Sequence, residues 1–256
     1  MLTWSVQTLP LKLIYNWKIS RNETFEKTNL IVTVTDGVHK GMGEAAPNIR
    51  YGETPEKLLE EFDRFLTIGI IISDLQKLEM ALSELSLYPS LRFAIESAYI
   101  HHLAEKAKKT VSSFLQLTPP PPLPTSYTLP IMDPSSIKEF IDKYNLNRFY
   151  SLKIKVNSES AFDMISEAGK HFSGTLRIDG NETWTHPDEL INTFNSLKNN
   201  KIQFLEQPFP SKLVDEYKYL KKKSKYEIIA DESITNNPED LIKLKDQFHG
   251  INMKLM

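Results

Sequence analysis

The stretch that decides the fold is SLKIKV, residues 151–156. Polar and apolar residues alternate along it, which is the two-residue period of a β-strand. One face is apolar and is typical of a buried strand. The other face places Lys153 and Lys155 side by side, where two ammonium groups repel each other and lose hydration on leaving water. This pair of lysines in a core strand needs a chemical reason.

On both sides of this strand, the chain alternates strand-like and helical segments. The predicted strands are SYTLPI (126–131), FYSLKIKV (149–156), GTLRIDG (174–180), IQFLEQPF (202–209), YEIIADES (226–233) and GINMKL (250–255). Helices are predicted near 135–144, 159–171, 187–198, 212–222 and 238–246. This alternation predicts a parallel sheet with right-handed crossovers, either open and doubly wound or closed as a barrel. No glycine-rich loop follows a strand, which leaves dinucleotide or P-loop binding without support.

The N-terminal part has a different pattern. Residues 2–43 resemble antiparallel strands with an Asp-Gly turn in VTDGVHKG, and helices are predicted over 54–66 and 91–109. The segment TPPPPLPTS (118–126) contains four consecutive prolines, which exclude a helix interior and a central strand. It is predicted to connect an α+β domain, 1–118, to a β/α domain, 119–256. A proline-rich recognition segment is the alternative.

Composition narrows the classes of partner. The chain has 256 residues, a formal net charge of -2 and no cysteine. Near-neutral charge gives no reason to expect nucleic acid or an anionic membrane as partner, and the absence of cysteine excludes disulfides and thiolate metal sites. No signal peptide or run of about 20 apolar residues is present. The sequence therefore predicts a cytoplasmic globular protein, with homo-oligomerisation left open.

Three successive predicted strands end in a carboxylate: Asp179 in LRIDGN, Glu206 in FLEQP and Asp231 in IIADES. Each taken alone has an ordinary explanation, because a strand-terminal Asp usually caps the following turn or helix. Three carboxylates at the ends of successive strands are less readily explained as three separate caps. Parallel α/β folds build their sites at the carboxyl ends of strands.

Neighbouring strands lie about 4.8 Å apart, so the three carboxylates are predicted to converge and to raise one another's pKa. A divalent cation would remove this repulsion. Oxygen ligands without Cys or His favour Mg²⁺, or Mn²⁺, over zinc. Lys153 and Lys155 on the preceding strand and Lys254 on the following strand would flank the ion.

This arrangement suggests proton removal from the carbon next to a carboxylate. A metal on the carboxylate oxygens would stabilise the enediolate that forms. Lys153 is predicted to favour the neutral form of Lys155, which could then act as a general base, and to help hold the substrate anion. With Lys254 on the opposite face, a proton could leave one side and return on the other, as a racemase or epimerase requires.

The motifs resemble those of the enolase superfamily, in its mandelate racemase/muconate lactonizing branch. The matching segments are KIK (153–155), DGN (179–181), EQP (206–208), DES (231–233), NMK (252–254) and, in the capping domain, GMGEAAPNIRYGET (41–54). Within the muconate lactonizing subgroup, the chain is most similar to dipeptide epimerases of the L-Ala-D/L-Glu type. The segments that carry this likeness are ISRN (19–22), APNIRYGE (46–53), TSYTL (125–129), DGNETW (179–184) and LEQPFP (205–210).

The resemblance implies an α+β capping domain and a modified (β/α)₇β TIM-like barrel. It implies Mg²⁺ on Asp179, Glu206 and Asp231. Neighbouring residues of a strand face opposite ways, so Glu232 is predicted to lie beside the site without contacting the ion, and Asn181 is predicted to orient the site rather than bind the metal. The resemblance further implies Lys155 and Lys254 as the acid/base pair and Lys153 as the substrate's carboxylate partner. Arg21 and Arg50 are candidates for binding the substrate, which the resemblance implies is a small-molecule carboxylate, a dipeptide.

Two departures bear on this reading. First, Gly180 replaces the alanine of the usual DAN motif. Second, family members continue past Lys254 with two further strands and a D-x-D motif, which this sequence does not include. The barrel is therefore expected to be truncated after its sixth strand. The alternatives are o-succinylbenzoate synthase, N-acylamino-acid racemase or cycloisomerase chemistry on the same scaffold, and a non-catalytic remnant. The motifs alone do not separate them.

Overall fold

The computed structural model describes residues 2–19, 22–197, 200–234 and 239–254, and these form two compact units. One contains residues up to Ile14, Phe25–Pro121 and Lys254, and the other contains Tyr15–Thr24 and Pro122–Met253. The division between the two units falls within the proline run, between Pro121 and Pro122. The segment Tyr15–Thr24 was expected in the first domain but groups with the second unit, where the Tyr15 hydroxyl donates to the Tyr127 hydroxyl at 2.8 Å.

The first sheet has the order β1-β2-β3, formed by β1 (Thr3–Ile19), β2 (Asn22–Thr35) and β3 (Lys40–Ala45). Strands β2 and β3 pair antiparallel, from Leu30 opposite Ala45 to Thr35 opposite Lys40. The predicted Asp-Gly turn joins them. Gly37 has a φ of 92°, which glycine adopts without strain, and the Asp36 carboxylate accepts from the backbone N–H of His39 at 2.8 Å.

Among the described residues, the first unit also contains the α-helices α1 (Pro55–Thr67), α2 (Leu75–Leu85), α3 (Pro89–Lys106) and α4 (Val111–Phe114). Helix α1 lies where a helix was predicted, and the Thr54 side chain caps it by accepting from the Lys57 N–H, whereas α2 was not predicted. Strand β3 packs against α3 through its glycines. A Cβ on Gly41 or Gly43 would lie 2.0 Å from the carbonyl oxygen of Ala98 or Ala94, so only glycine permits this close packing.

The second sheet is parallel and has six strands in the order of the chain. They are β4 (Ser126–Leu129), β5 (Ser151–Lys155), β6 (Thr175–Asp179), β7 (Ile202–Glu206), β8 (Glu227–Ala230) and β9 (Gly250–Ile251). A doubly wound sheet reverses its strand order at a switch point, whereas a barrel wall does not. The order observed is that of a barrel wall, which decides between the two predicted topologies.

Helices connect these strands: α5 (Ile137–Lys143), α6 (Ala161–His171), α7 (Pro187–Ser196), α8 (Val214–Lys223) and α9 (Glu239–Leu244). Their apolar faces pack with the strands into a core that includes Ile154, Met164, Ile178 and Leu205, all at most 2% exposed. Within the described ranges, no helix is long and apolar enough to cross a membrane. The predicted alternation of strands and helices, and the α/β fold class, are confirmed.

Candidate active site

Three acidic side chains meet at the carboxyl ends of neighbouring strands. Asp179 ends β6 and lies directly opposite Glu206, which ends β7, and Asp231 follows β8. Their exposed fractions are 0%, 3% and 6%. One carboxylate oxygen of each lies within 4.8 Å of the others. The convergence expected from strand spacing is therefore present in the structure.

The two lysines of β5 reach this cluster from the adjacent strand. Lys153 Nζ lies 2.8 Å from Asp179 Oδ2 and 2.7 Å from Glu206 Oε1, and Lys155 Nζ lies 2.5 Å from Asp179 Oδ2. Lys155 pairs directly with Asp179 in the parallel register. Both ammonium groups thus share one carboxylate. The alternation of β5 placed them on one face, and their common partner offsets the repulsion between them.

Burial and neighbouring charges both shift the pKa values of these groups. Burial raises the pKa of Glu206, and the Asp179 charge raises it further, despite its ion pair with Lys153. Burial would also raise the pKa of Asp179, but the Lys155 and Lys153 ammonium groups outweigh it and hold that pKa below its ordinary value. Burial disfavours the Lys153 ammonium, yet Asp179 and Glu206 keep the pKa of Lys153 above its usual range. The cluster is therefore strongly coupled electrostatically.

Asn181 and Glu232 surround the cluster. Asn181 Oδ1 accepts from Lys155 Nζ at 2.8 Å, its Nδ2 donates to Glu232 Oε1 at 3.0 Å, and its backbone N–H donates to Asp179 Oδ1 at 3.0 Å. Asn181 holds a φ of 43°, in the left-handed region that costs a non-glycine residue free energy. Such strain commonly concentrates at functional sites.

Two further polar residues at the cluster were not identified from the sequence. Asn252 Nδ2 donates to Glu206 Oε1 at 2.8 Å, and Gln207 is fully buried with a φ of 37°. Both residues lie inside motifs quoted above, EQP and NMK. The sequence signal that could have identified them was their position within two residues of Glu206 or Lys254, which have predicted roles. Neither the left-handed backbone nor the inward direction of these side chains can be read from residue type.

The remaining candidates lie elsewhere in the chain. Lys254 follows β9, is exposed and is grouped with the first unit, so its predicted role opposite Lys155 stays a prediction. Arg50 is an exposed residue of the 3₁₀ helix Ile49–Tyr51 in the first unit. Arg21 lies outside the described residues. A substrate contact for either arginine also remains a prediction.

The donor set fits a hard divalent cation. All three convergent groups are carboxylates, which offer oxygen atoms as ligands. Oxygen-only ligands favour Mg²⁺ and Mn²⁺ over zinc or copper. Since the three oxygens already lie within 4.8 Å of one another, small side-chain adjustments would bring them to one ion.

Comparisons with known proteins show which family and which enzymes the chain is similar to. Residues 136–249 match the enolase C-terminal domain-like family. The L-Ala-D/L-amino acid epimerase of Flavobacterium johnsoniae is 29% identical over 252 residues, covering 96% of this chain and 73% of the relative. The predicted resemblance to the enolase superfamily is confirmed by the family match, and the isomerase class predicted from the motifs is confirmed by the relatives.

Solved structures of dipeptide epimerases are similar to this chain in fold. A dipeptide epimerase from Enterococcus faecalis, complexed with Mg and L-Leu-L-Tyr, aligns with a TM-score of 0.87 at 26% identity, covering 99% of this chain and 74% of that one. The dipeptide epimerase from Cytophaga hutchinsonii, complexed with Mg and D-Ala-L-Val, aligns at 0.85 and 25% identity, covering 99% and 72%. The predicted resemblance to dipeptide epimerases is confirmed, and this chain spans about three quarters of their length.

Proposed function

We propose that this protein is a Mg²⁺-dependent dipeptide epimerase that transfers a proton to and from the carbon next to a carboxylate. The observation that carries the proposal is the buried trio of carboxylates within 4.8 Å of one another, with Lys155 Nζ 2.5 Å from one of them. Relatives and similar structures that are named dipeptide epimerases support the substrate class.

Asp179, Glu206 and Asp231 are the residues that would hold Mg²⁺, with Mn²⁺ as a possible substitute. When bound, the ion supplies positive charge that stabilises a substrate carboxylate as negative charge develops on it. Lys153 bridges Asp179 and Glu206, and in our proposal its ammonium group binds that carboxylate beside the ion. These roles account for an acidic cluster that is unfavourable as packing alone.

Proton transfer is assigned to two lysines. Neutral Lys155 takes the proton from the α-carbon, which leaves an enediolate and a Lys155 ammonium group. The Lys254 ammonium then returns a proton to the opposite face, so the configuration inverts and the proton count balances. Asn181 Oδ1, 2.8 Å from Lys155 Nζ, would orient the base.

The experiment is a screen for exchange of the α-hydrogen. The full chain is incubated in D₂O with Mg²⁺ and a panel of L,L and L,D dipeptides, and uptake of deuterium is measured by mass spectrometry. An epimerase takes up one deuterium per inverted centre and converts each diastereomer to the other. N-succinyl amino acids, the o-succinylbenzoate precursor and muconolactone in the same screen test the alternative activities.

Lys155→Ala is the matched control, since it removes the proposed base and leaves the carboxylates in place. Exchange by the unmodified chain but not by this variant supports the assignment. Exchange only with N-succinyl amino acids would overturn the dipeptide substrate. A chain that exchanges no substrate and gains no thermal stability from Mg²⁺ fits the non-catalytic remnant.

A further inference from the structure

One residue connects the three strand ends that carry the carboxylates. The Gln207 backbone N–H donates to the Ile229 carbonyl of β8 at 2.9 Å, and its own carbonyl accepts from the Glu182 N–H, in the turn after β6, at 2.8 Å. Gln207 itself follows Glu206 on β7. It is fully buried and holds a left-handed φ of 37°. A costly backbone conformation persists only where its surroundings enforce it.

The side chain of Gln207 holds the backbone of the third carboxylate residue. Its Oε1 accepts from the N–H of Asp231 at 2.9 Å and from the N–H of Ser233 at 3.1 Å. Its Nε2 lies 2.7 Å from Ser233 Oγ. The side chain thus makes three contacts with the turn that carries Asp231, and both lone pairs of its oxygen are used.

Hydrogen bonds with the buried Tyr217 fix the orientation of the Gln207 side-chain amide. The Tyr217 hydroxyl donates to the Phe209 carbonyl in a short hydrogen bond, and its oxygen accepts from the Phe209 N–H at 3.0 Å and from Gln207 Nε2 at 2.9 Å. The hydroxyl proton is committed to Phe209, so the amide must present its NH₂ group to Tyr217. Oε1 therefore faces the Asp231 and Ser233 amides, which can only donate.

We propose that Gln207, supported by Tyr217, is a positioning residue that sets the location of Asp231 relative to Asp179 and Glu206 and thereby the affinity for Mg²⁺. This inference rests on the proposed function, because it assumes that the trio binds the ion. Mg²⁺ demands near-octahedral geometry with oxygens at about 2.1 Å, so a shift of one ligand-bearing turn weakens binding. Partners that orient metal ligands commonly change affinity about 10- to 100-fold when lost.

The test measures Mg²⁺ binding to the full chain by isothermal titration calorimetry, without substrate. Gln207→Met keeps the length of the side chain and removes its hydrogen bonds. The matched control is Gln203→Met, the same change four residues earlier in the chain, on β7, where the exposed Gln203 accepts only from Arg177 Nε at 2.9 Å among its described contacts. We expect Gln207→Met to raise the Kd for Mg²⁺ about tenfold or more, and Gln203→Met to leave it within about twofold.

Tyr217→Phe is the second variant, since it keeps the ring and removes only the hydroxyl behind the amide. We expect it to raise the Kd about threefold. If circular dichroism shows that Gln207→Met does not fold, the Kd of Tyr217→Phe for Mg²⁺ tests the inference instead. A folded Gln207→Met chain, or in its absence a folded Tyr217→Phe chain, that binds Mg²⁺ as tightly as the unmodified protein overturns the inference.

A purely structural role would lower the unfolding temperature of these variants and leave the Kd unchanged. That outcome contradicts the positioning role but leaves the proposed function intact. Failure of the unmodified chain to bind Mg²⁺ removes the metal site itself, and the proposed function and the positioning role fall together. The two failures are therefore distinguishable.

Discussion

Buried carboxylates occur in both units, but their partners differ. In the first unit, Glu53 is 2% exposed, and its two oxygens accept from the backbone N–H groups of Asn48 at 2.8 Å and Ser90 at 3.2 Å. In the second unit, the partners of Asp179 include the ammonium groups of Lys153 and Lys155. Glu53 and Asp179 are both almost fully buried. They differ in the groups that contact their carboxylates.

The difference separates a structural acid from a candidate functional one. A carboxylate that accepts from backbone N–H groups fixes the main chain and is stabilised by local dipoles. Glu53 ties the loop that carries Arg50 to the start of α3 in this way. Carboxylates that converge on one another instead depend on cations, here lysines and, in our proposal, Mg²⁺.

The largest expected effect is on proton transfer. Lys155→Ala removes the proposed base, and we expect deuterium uptake by a dipeptide to fall about a thousandfold, within the range that general acid–base groups supply. The measurement is mass spectrometry of the substrate in D₂O. Glu53→Gln in the first unit serves as control and should retain uptake. Comparable rates for Lys155→Ala and the unmodified chain would show that another group removes the proton.

The next effect is on metal binding. Asp179→Asn removes one charged ligand from the trio, so we expect Mg²⁺ to lose its stabilising effect on this variant. The unmodified chain should gain about 2.7 kcal/mol when the Mg²⁺ concentration is 100 times its Kd. Urea unfolding with and without Mg²⁺ measures this gain. An equal gain in Asp179→Asn would mean that the ion binds elsewhere.

A smaller effect is predicted for the structural acid. Glu53→Gln places an NH₂ group opposite one of two backbone N–H donors, which leaves a buried donor unsatisfied and costs about 1–3 kcal/mol of unfolding free energy. The Kd for Mg²⁺, measured by calorimetry, should stay unchanged. A large loss of Mg²⁺ affinity in this variant would erase the distinction between the two classes of buried acid.

The smallest effect concerns pH. Backbone N–H groups of His39 and Val38 hold the pKa of the Asp36 carboxyl well below its usual range. A depressed pKa in the folded state means that the carboxylate stabilises the fold above the unfolded value of about 3.9, and that this contribution is lost as the pH falls. Asp36→Asn cannot titrate but can still accept through its side-chain oxygen.

We therefore expect the unmodified chain to be more stable than Asp36→Asn at about pH 6, with the difference shrinking towards about pH 3. Urea unfolding at both pH values measures it. A difference that is constant with pH would show that the Asp36 charge contributes nothing to the turn.

Much of the second unit could be predicted because its signals are local. The alternation of SLKIKV fixed the face on which Lys153 and Lys155 lie, and regular strand–helix spacing placed Asp179, Glu206 and Asp231 at one edge of the sheet. Topology then followed from general rules of parallel sheets.

The features that could not be predicted depend on tertiary contacts. The grouping of Tyr15–Thr24 with the second unit depends on contacts such as that of Tyr15 with Tyr127, more than a hundred residues away. The left-handed backbone of Gln207 has no signature, because glycine is the residue expected there. Its contacts with Asp231 depend on that backbone, so its role became visible only in the structure.

The most direct measurement is the anomalous diffraction of a crystal of this chain soaked in Mn²⁺, which substitutes for Mg²⁺ and scatters anomalously. We expect one strong peak among Asp179, Glu206 and Asp231, with one oxygen of each about 2.0–2.3 Å from it and the Lys153 ammonium displaced from at least one of its two carboxylate partners. A soaked crystal in which the three carboxylates remain bridged by Lys153 and the peak lies elsewhere, or is absent, would contradict the magnesium site.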